Sequence, residues 1–304
     1  MAVSAQAAPL APLEPSSRTR DPGSSALRAT IRRIFRRRTG VLGVAILGMF
    51  LFITLTADFI SPSDPLTLRR GEDLQAPSAA HLFGTDEHGR DILSRIIHGT
   101  RSAFLVAFVA VSCGATAGVV GGILAGYLGG RVDSVIMRLN DVVLAFPGLL
   151  VGIAVVTVLG PGTINVAWAL AIGLMPNVAR VTRSSVLSER ERDYVLAARA
   201  IGARDGRIMF RHILPNTLPP TIVQISLALG FTVLADASLS FLGLGTQPPA
   251  PSWGNMLNAS QAFMREAPWY GIAPGVCLAI LVFGLNHLSD SLRDALDPRR
   301  AREA

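Results

Sequence analysis

Six apolar runs, most of them about as long as a bilayer is thick, leave this chain few folds to choose from. The first covers about 41–60 and follows a basic cluster, Arg28, Arg32, Arg33, Arg36, Arg37 and Arg38. About twenty apolar residues at 1.5 Å rise cross a roughly 30 Å hydrocarbon core, so this run reads as a membrane helix. A signal peptide also places charge before an apolar run. This one is too long for that, lies too far from the terminus and lacks a small-residue cleavage site. Five more runs lie near 102–126, 135–158, 164–182, 217–243 and 271–289. Half of the 304 residues are hydrophobic and the mean hydropathy is +0.44, as suits an all-α polytopic membrane protein with six transmembrane helices.

Charge sets the orientation. The net charge is +7, and every basic residue is arginine. A basic balance can indicate nucleic acid, but here the arginines flank apolar runs, which is a topology signal. With the N-terminus inside, only Arg69, Arg70, Arg90, Arg95, Arg101 and Arg265 of the 28 fall outside. The positive-inside rule then puts both termini in the cytoplasm of a multi-pass cell-membrane protein. Residues 1–27, rich in Ala, Pro and Ser, are expected to be disordered within a cytoplasmic tail over 1–38. A first helix with its external loop spans 39–101, a transmembrane domain 102–290, and a C-terminal tail 291–304. Small residues such as Gly114, Ala117, Gly118, Gly121 and Gly122 predict close helix packing. Cys113 and Cys277 lie inside apolar runs without CxxC spacing and read as packing residues.

The longest strongly charged segment between apolar ones is SERERDYVLAARAIGARDGRIMFRHILP, residues 188–215, on the cytoplasmic side. Ser188 and Glu191 have capping-box spacing, which predicts a helix start. Tyr194, Ala197, Ala198 and Ile201 recur at helical spacing, with side chains mostly small enough for a partner to approach the backbone. Gly202 permits the positive φ that ends a helix. Asp205 could cap a second short helix, and Pro215 limits how far it continues. Two short helices meeting at a glycine outside the bilayer predict a docking element.

Ala197-Ala198, three residues, Gly202, then Leu214-Pro215 resembles the E-A-A-x3-G-x9-I-x-L-P loop of ABC importer permeases. In that family the loop forms coupling helices that seat in a cleft of the ATPase subunits. Leu196 stands where the glutamate belongs and His212 where the isoleucine belongs, with Ile213 one place late. The usual glutamate salt bridge is therefore missing its carboxylate, while seating through the alanines and glycine is less affected. GTDEHGRDILSR (84–95), RLNDVVLAFP (138–147), SLSFLGLG (238–245), PSWGNML (251–257) and RDALDPR (293–299) resemble further signatures of the dipeptide/oligopeptide/nickel branch. The resemblance covers about 38–299. It implies a type I ABC importer transmembrane domain whose coupling residues are Asp193, Tyr194, Ala197, Ala198, Gly202, Asp205, Leu214 and Pro215. It also implies a second permease, two ATPase subunits that hydrolyse ATP, and an external substrate-binding protein. Peptides are the favoured cargo; nickel complexes, glutathione, opines and haem are alternatives within the family.

Other chemistries find no motif. There is no G-x-x-x-x-G-K-[ST] loop for ATP, no H-E-x-x-H and no G-x-S-x-G, so the chain is expected to be no enzyme and to bind no cofactor. Asp86, Glu87 and Asp91 suggest a cation loop but lack EF-hand spacing. That stretch reads instead as a polar turn at 84–89 followed by an amphipathic interfacial helix through Ile92, Leu93, Ile96 and Ile97. The five histidines share no metal-ligand spacing, and His212 reads as an interface residue. Ionisable residues at membrane depth are functional candidates. Asp141 has either a structural role, pairing with Arg138 one turn back, or a transport role. Asp236 is either a polar contact in the gate or translocation path, or a hydrogen-bonding group toward the partner permease. A secondary transporter working without ATPases is the other class consistent with six spans. The exposed loop and the scarcity of mid-span charges favour the permease.

Overall fold

The computed structural model describes residues 32–296. The expected disorder over 1–27, Arg28 of the basic cluster and the end of 293–299 lie outside the described residues. Helices account for the architecture: α1 Arg38–Ile60, α2 Ile92–Leu128, α3 Gly130–Leu144, α4 Gly148–Leu159, α5 Thr163–Glu189, α6 Asp193–Ala200, α7 Leu214–Phe241, α8 Trp253–Ser260 and α9 Pro268–Leu296. No strand occurs among the described residues, only an isolated bridge between Thr85 and Asp91.

Among the described residues five helical spans are individually long and apolar enough to cross a membrane, and a sixth crossing requires α3 and α4 together. The single span expected over 135–158 is therefore corrected. The chain bends by 93° between α3 and α4, across Ala145, Phe146 and Pro147. Proline removes a ladder donor and disfavours helix in the residue before it, so the break falls just ahead of Pro147. The α2 helix also starts at Ile92, ten residues ahead of the apolar run expected from 102.

Packing is closest between α2 and α5. Gly114, Gly118, Gly122 and Gly126 recur every four residues on the buried face of α2. A Cβ at these positions would lie 2.7, 2.7, 2.6 and 3.0 Å from the carbonyl oxygens of Ala171, Met175, Ala179 and Arg183. Each glycine is thus backbone against backbone, the small-residue packing that helices in lipid rely on. Two residues expected in this role are not in the seam: Ala117 is exposed, and Gly121 faces Ile136 of α3. Gly126 belongs to it and was not anticipated.

At one end of the bundle the loop after α1 folds tightly on itself. Asp91 caps α2, accepting from the Ser94 backbone N–H at 2.8 Å and its hydroxyl at 2.7 Å, and contacts His81 Nδ1 at 3.0 Å. Asp86, fully buried, accepts from the backbone N–H groups of His88 and Arg90 and pairs with Arg90 at 2.6 Å and Arg95 at 3.3 Å. Its carboxylate is committed to these donors. Burial raises the Glu87 carboxyl, but the Tyr270 hydroxyl, its own backbone N–H and the nearby cations hold it below the usual carboxylate range. The interfacial helix expected over Ile92–Ile97 is corrected: Ile92, Ile96 and Ile97 are buried in the first turns of α2. Ile92 and Ile96 share a core with Phe50, Trp253, Met256 and Tyr270. Trp253 stands edge-on to Phe50 with centroids 5.6 Å apart, and its Nε1 donates to the Ile96 carbonyl. The α8 helix that carries it starts with a reciprocal cap between Ser252 and Asn255.

Candidate coupling site and membrane-depth carboxylates

The opposite end of the bundle carries the 188–215 segment. The helix start expected from Ser188 and Glu191 is corrected. Ser188 sits inside the last turns of α5, and α6 begins at Asp193 with Arg192 at its N-cap and no side-chain cap. Glu191 instead accepts from its neighbour, Arg190 Nε, at 2.9 Å. Capping-box spacing cannot distinguish a new helix from one that has not yet ended.

Gly202 adopts φ +79°, and around it α6 closes in a complete left-handed cap. The Gly202 N–H donates to Arg199 O at 2.9 Å and the Ala203 N–H to Ala198 O at 3.0 Å. The chain then turns through Asp205–Arg207 and a π-helical turn at Ile208–Ile213, where the Leu214 N–H reaches back to Met209 O. This wider turn carries the helix past Pro215, so the stop expected there is corrected: Asp205–Phe241 runs as one span of 37 residues. Asp205 does not cap the second short helix either. Arg204 occupies that position, and the Asp205 carboxylate accepts from the Tyr127 hydroxyl at 2.6 Å. The Arg199 guanidinium lies 5.3 Å from the Tyr127 ring centroid.

The face expected to dock is divided. Val195 and Ala198 point inward, buried with Ile123, Tyr127, Val186, Ile208 and Ile213 at the ends of α2 and α5. Tyr194, Leu196, Ala197 and Ile201 point outward, Ile201 at 86% exposure. Leu196, at the position of the usual glutamate, stands on that outer surface. The Tyr194 hydroxyl donates to Glu189 at 2.7 Å and accepts from Asn216 at 3.1 Å. Partial burial and the Glu189 acceptor raise its pKa. Asp193 opens α6 as a first-turn acid, favourable for the helix dipole. Leu214 is half-buried and Pro215 exposed at the start of α7.

The expected pairing of Asp141 with Arg138 is corrected. Asp141 Oδ1 accepts from Arg180 Nη2 at 2.6 Å, and on the same side Arg183 pairs with Asp133 through two bonds of 2.5 Å. These pairs clip α3 to α5, a contact between helices that spacing along one helix cannot reveal. Asp236 is enclosed by this chain's own helices, with the Ser240 hydroxyl 3.5 Å away.

The family model for a binding-protein-dependent transport system inner membrane component matches residues 118–302. The chain belongs to that family. A second model, the N-terminal TM domain of oligopeptide transport permease C, matches residues 25–77. Among curated relatives of this inner-membrane family, the dipeptide transport system permease protein DppC of Alkalihalophilus pseudofirmus is 41% identical over 96% of this chain and 97% of its own. The di/tripeptide permease DppC of Pseudomonas aeruginosa is 42% identical over 87% and 90%. The glutathione permease GsiD of Pectobacterium atrosepticum is 41% identical over 88% and 89%. The fold matches a chain of the inward-facing MetNI methionine ABC transporter, with TM-score 0.56 at 19% identity, covering 68% of this chain and 98% of that one. A chain of an amino acid ABC transporter matches with TM-score 0.52 at 17% identity, over 66% and 94%. The fold is thus that of a type I ABC importer transmembrane domain in a multi-pass inner-membrane protein. These matches favour a permease component of a transport system over a secondary transporter acting alone.

Proposed function

We propose that this chain is one permease of an ATP-driven peptide importer, pairing with a different permease to form the translocation path. ATP is hydrolysed by two partner subunits, and a substrate-binding protein delivers the cargo from outside. The observation that carries this reading is the 190–213 segment. It is a folded knob with Leu196, Ala197 and Ile201 turned outward on the helix that Gly202 closes, tied to the end of a transport-permease bundle. Such a surface fits a partner that must grip the bundle without entering it. The relatives named as dipeptide permeases support peptides over other small solutes.

In this reading Asp193, Tyr194, Ala197, Ala198, Gly202, Asp205, Leu214 and Pro215 form the coupling element. Asp193, Ala197 and Pro215 contact the ATPase, while Ala198 by packing and Tyr194 and Asp205 by hydrogen bonds hold the element's shape. Asp141 belongs to the clip between α3 and α5, and Asp236 to the interior behind the path. Both termini and the knob face the cytoplasm in this reading, which the arginine distribution supports. The test is reconstitution with the partner subunits. Labelled dipeptide should enter vesicles only with ATP and the binding protein, and a cysteine at Arg204 should resist impermeant thiol reagents in intact cells. Uptake by this chain alone, driven by a proton or sodium gradient, would overturn the reading.

A further inference from the structure

A cavity of about 250 Å³ lies between α4, α5 and α7, lined in part by Gly148, Gly173, Leu174, Asn177, Gln224 and Phe231. Asn177 sits near the middle of the 27-residue α5, and Gln224 near the middle of the span Asp205–Phe241. Neither carboxamide has a hydrogen-bond partner among the described residues. Thr232 on the same wall has satisfied itself, donating to the Ala228 carbonyl at 2.7 Å. Two unpartnered carboxamides facing hydrocarbon would carry a desolvation cost that nothing in the fold returns. The cavity also begins at Gly148, directly after the 93° break, where Ala145, Phe146 and Pro147 are exposed. Non-helical backbone at membrane depth persists where it is buried in protein or lines a watered cavity, and broken helices commonly mark a transporter's binding site. The break and the carboxamides, Asn177 exposed and Gln224 half-buried, are independent observations, and both set this face away from lipid.

We propose that this cavity is this chain's half of the cargo site, with Asn177 and Gln224 hydrogen-bonding the main-chain amides of a passing peptide. This rests on the peptide-importer reading. A carboxamide offers an N–H donor beside a carbonyl acceptor, the same pair that a peptide bond presents in reverse. It therefore holds a peptide without reading its sequence. The remaining walls are apolar and open: a Cβ on Gly173 would touch nothing, and one on Gly148 only the Phe231 ring at 3.9 Å. Varied side chains fit such walls. The lining holds no imidazole, thiol or carboxylate, so it suits an amide-bearing cargo and not a bare metal ion.

The test uses the complete transporter in proteoliposomes at saturating loaded binding protein, comparing a labelled dipeptide with its N-methylated-amide analogue. In the double variant Asn177→Leu/Gln224→Leu, dipeptide uptake should fall about tenfold or more, as expected when polar contacts to an otherwise desolvated amide are lost. Discrimination against the N-methyl analogue should vanish, while ATP hydrolysis stimulated by the binding protein persists. Leucine favours membrane insertion, so loss of the subunit is not the expected route. Asn177→Gln and Gln224→Asn, which keep the carboxamide, should retain most of the discrimination. Unmodified uptake and discrimination in the double variant would overturn the proposal. So would loss of co-purification with the second permease, which would make the carboxamides a subunit contact. An unmodified transporter that moves no peptide would instead overturn the underlying reading.

Discussion

The Tyr127 hydroxyl and the Asp205 carboxylate, 78 residues apart, meet at 2.6 Å and bolt the last turn of α2 to the turn that follows Gly202. A hydrogen bond to a charged acceptor contributes roughly 1.5–3 kcal/mol when sheltered and less where, as here, the carboxylate is solvated. Tyr127→Phe removes that bond and keeps the ring under Arg199. Insertion and subunit assembly should survive, while peptide moved per ATP hydrolysed falls several-fold. Equal coupling ratios in the two proteins would show that the bond only decorates the loop.

Gly202→Val places a β-branched residue at φ +79°, where non-glycine residues cost on the order of 1–2 kcal/mol and branched ones more. Apart from its chain neighbours, no atom of the described residues lies within 4 Å of the added Cβ, so the internal penalty is backbone strain. The spans should insert normally while co-purification with the ATPase drops sharply. Gly206→Ala, equally open but without positive φ, is the matched control.

One methyl separates two further variants. Gly118→Ala drives a Cβ to 2.7 Å from the Met175 carbonyl, whereas at Gly121 the nearest atom is 3.6 Å away on Ile136. Overpacking of this kind typically costs about 1–3 kcal/mol. Thermal melting of the detergent-solubilised protein should fall by several degrees for Gly118→Ala and stay within error for Gly121→Ala. Equal melting would mean that α2 and α5 separate more readily than their backbone contact implies.

Asp141 and Arg180 are both largely exposed, and such pairs contribute roughly 0–1 kcal/mol. A double-mutant cycle on unfolding should return a coupling energy below about 1 kcal/mol. Uptake should be nearly unchanged in Asp141→Asn. A large uptake defect with intact stability would assign Asp141 to transport itself.

Legibility in the sequence followed the range of each interaction. Apolar runs as long as a bilayer reveal a span wherever they occur, because the requirement is local and applies to every residue in it. Gly202 was readable for the same reason: a positive φ is a property of one residue. The break at Ala145–Pro147 was hidden because the apolar run continues through it. For Asp141, spacing offers only a neighbour on its own helix, Arg138, or a transport role, while the observed partner, Arg180, comes from a helix whose position no spacing encodes. The division of the knob into buried Val195 and Ala198 and exposed Ala197 and Ile201 likewise depends on how α6 lies against α2 and α5.

The α2 helix runs without interruption from its Asp91 cap to Leu128. At 1.5 Å per residue its 37 residues measure about 55 Å, well beyond a roughly 30 Å hydrocarbon core. One end is pinned into the arginine–carboxylate weave around Asp86, the other to the knob through Tyr127. A rod held at both ends and flush against α5 along four glycines has little freedom to bend. A displacement applied at the knob is then carried along α2 as tilt of the α2–α5 pair rather than as bending of the helix.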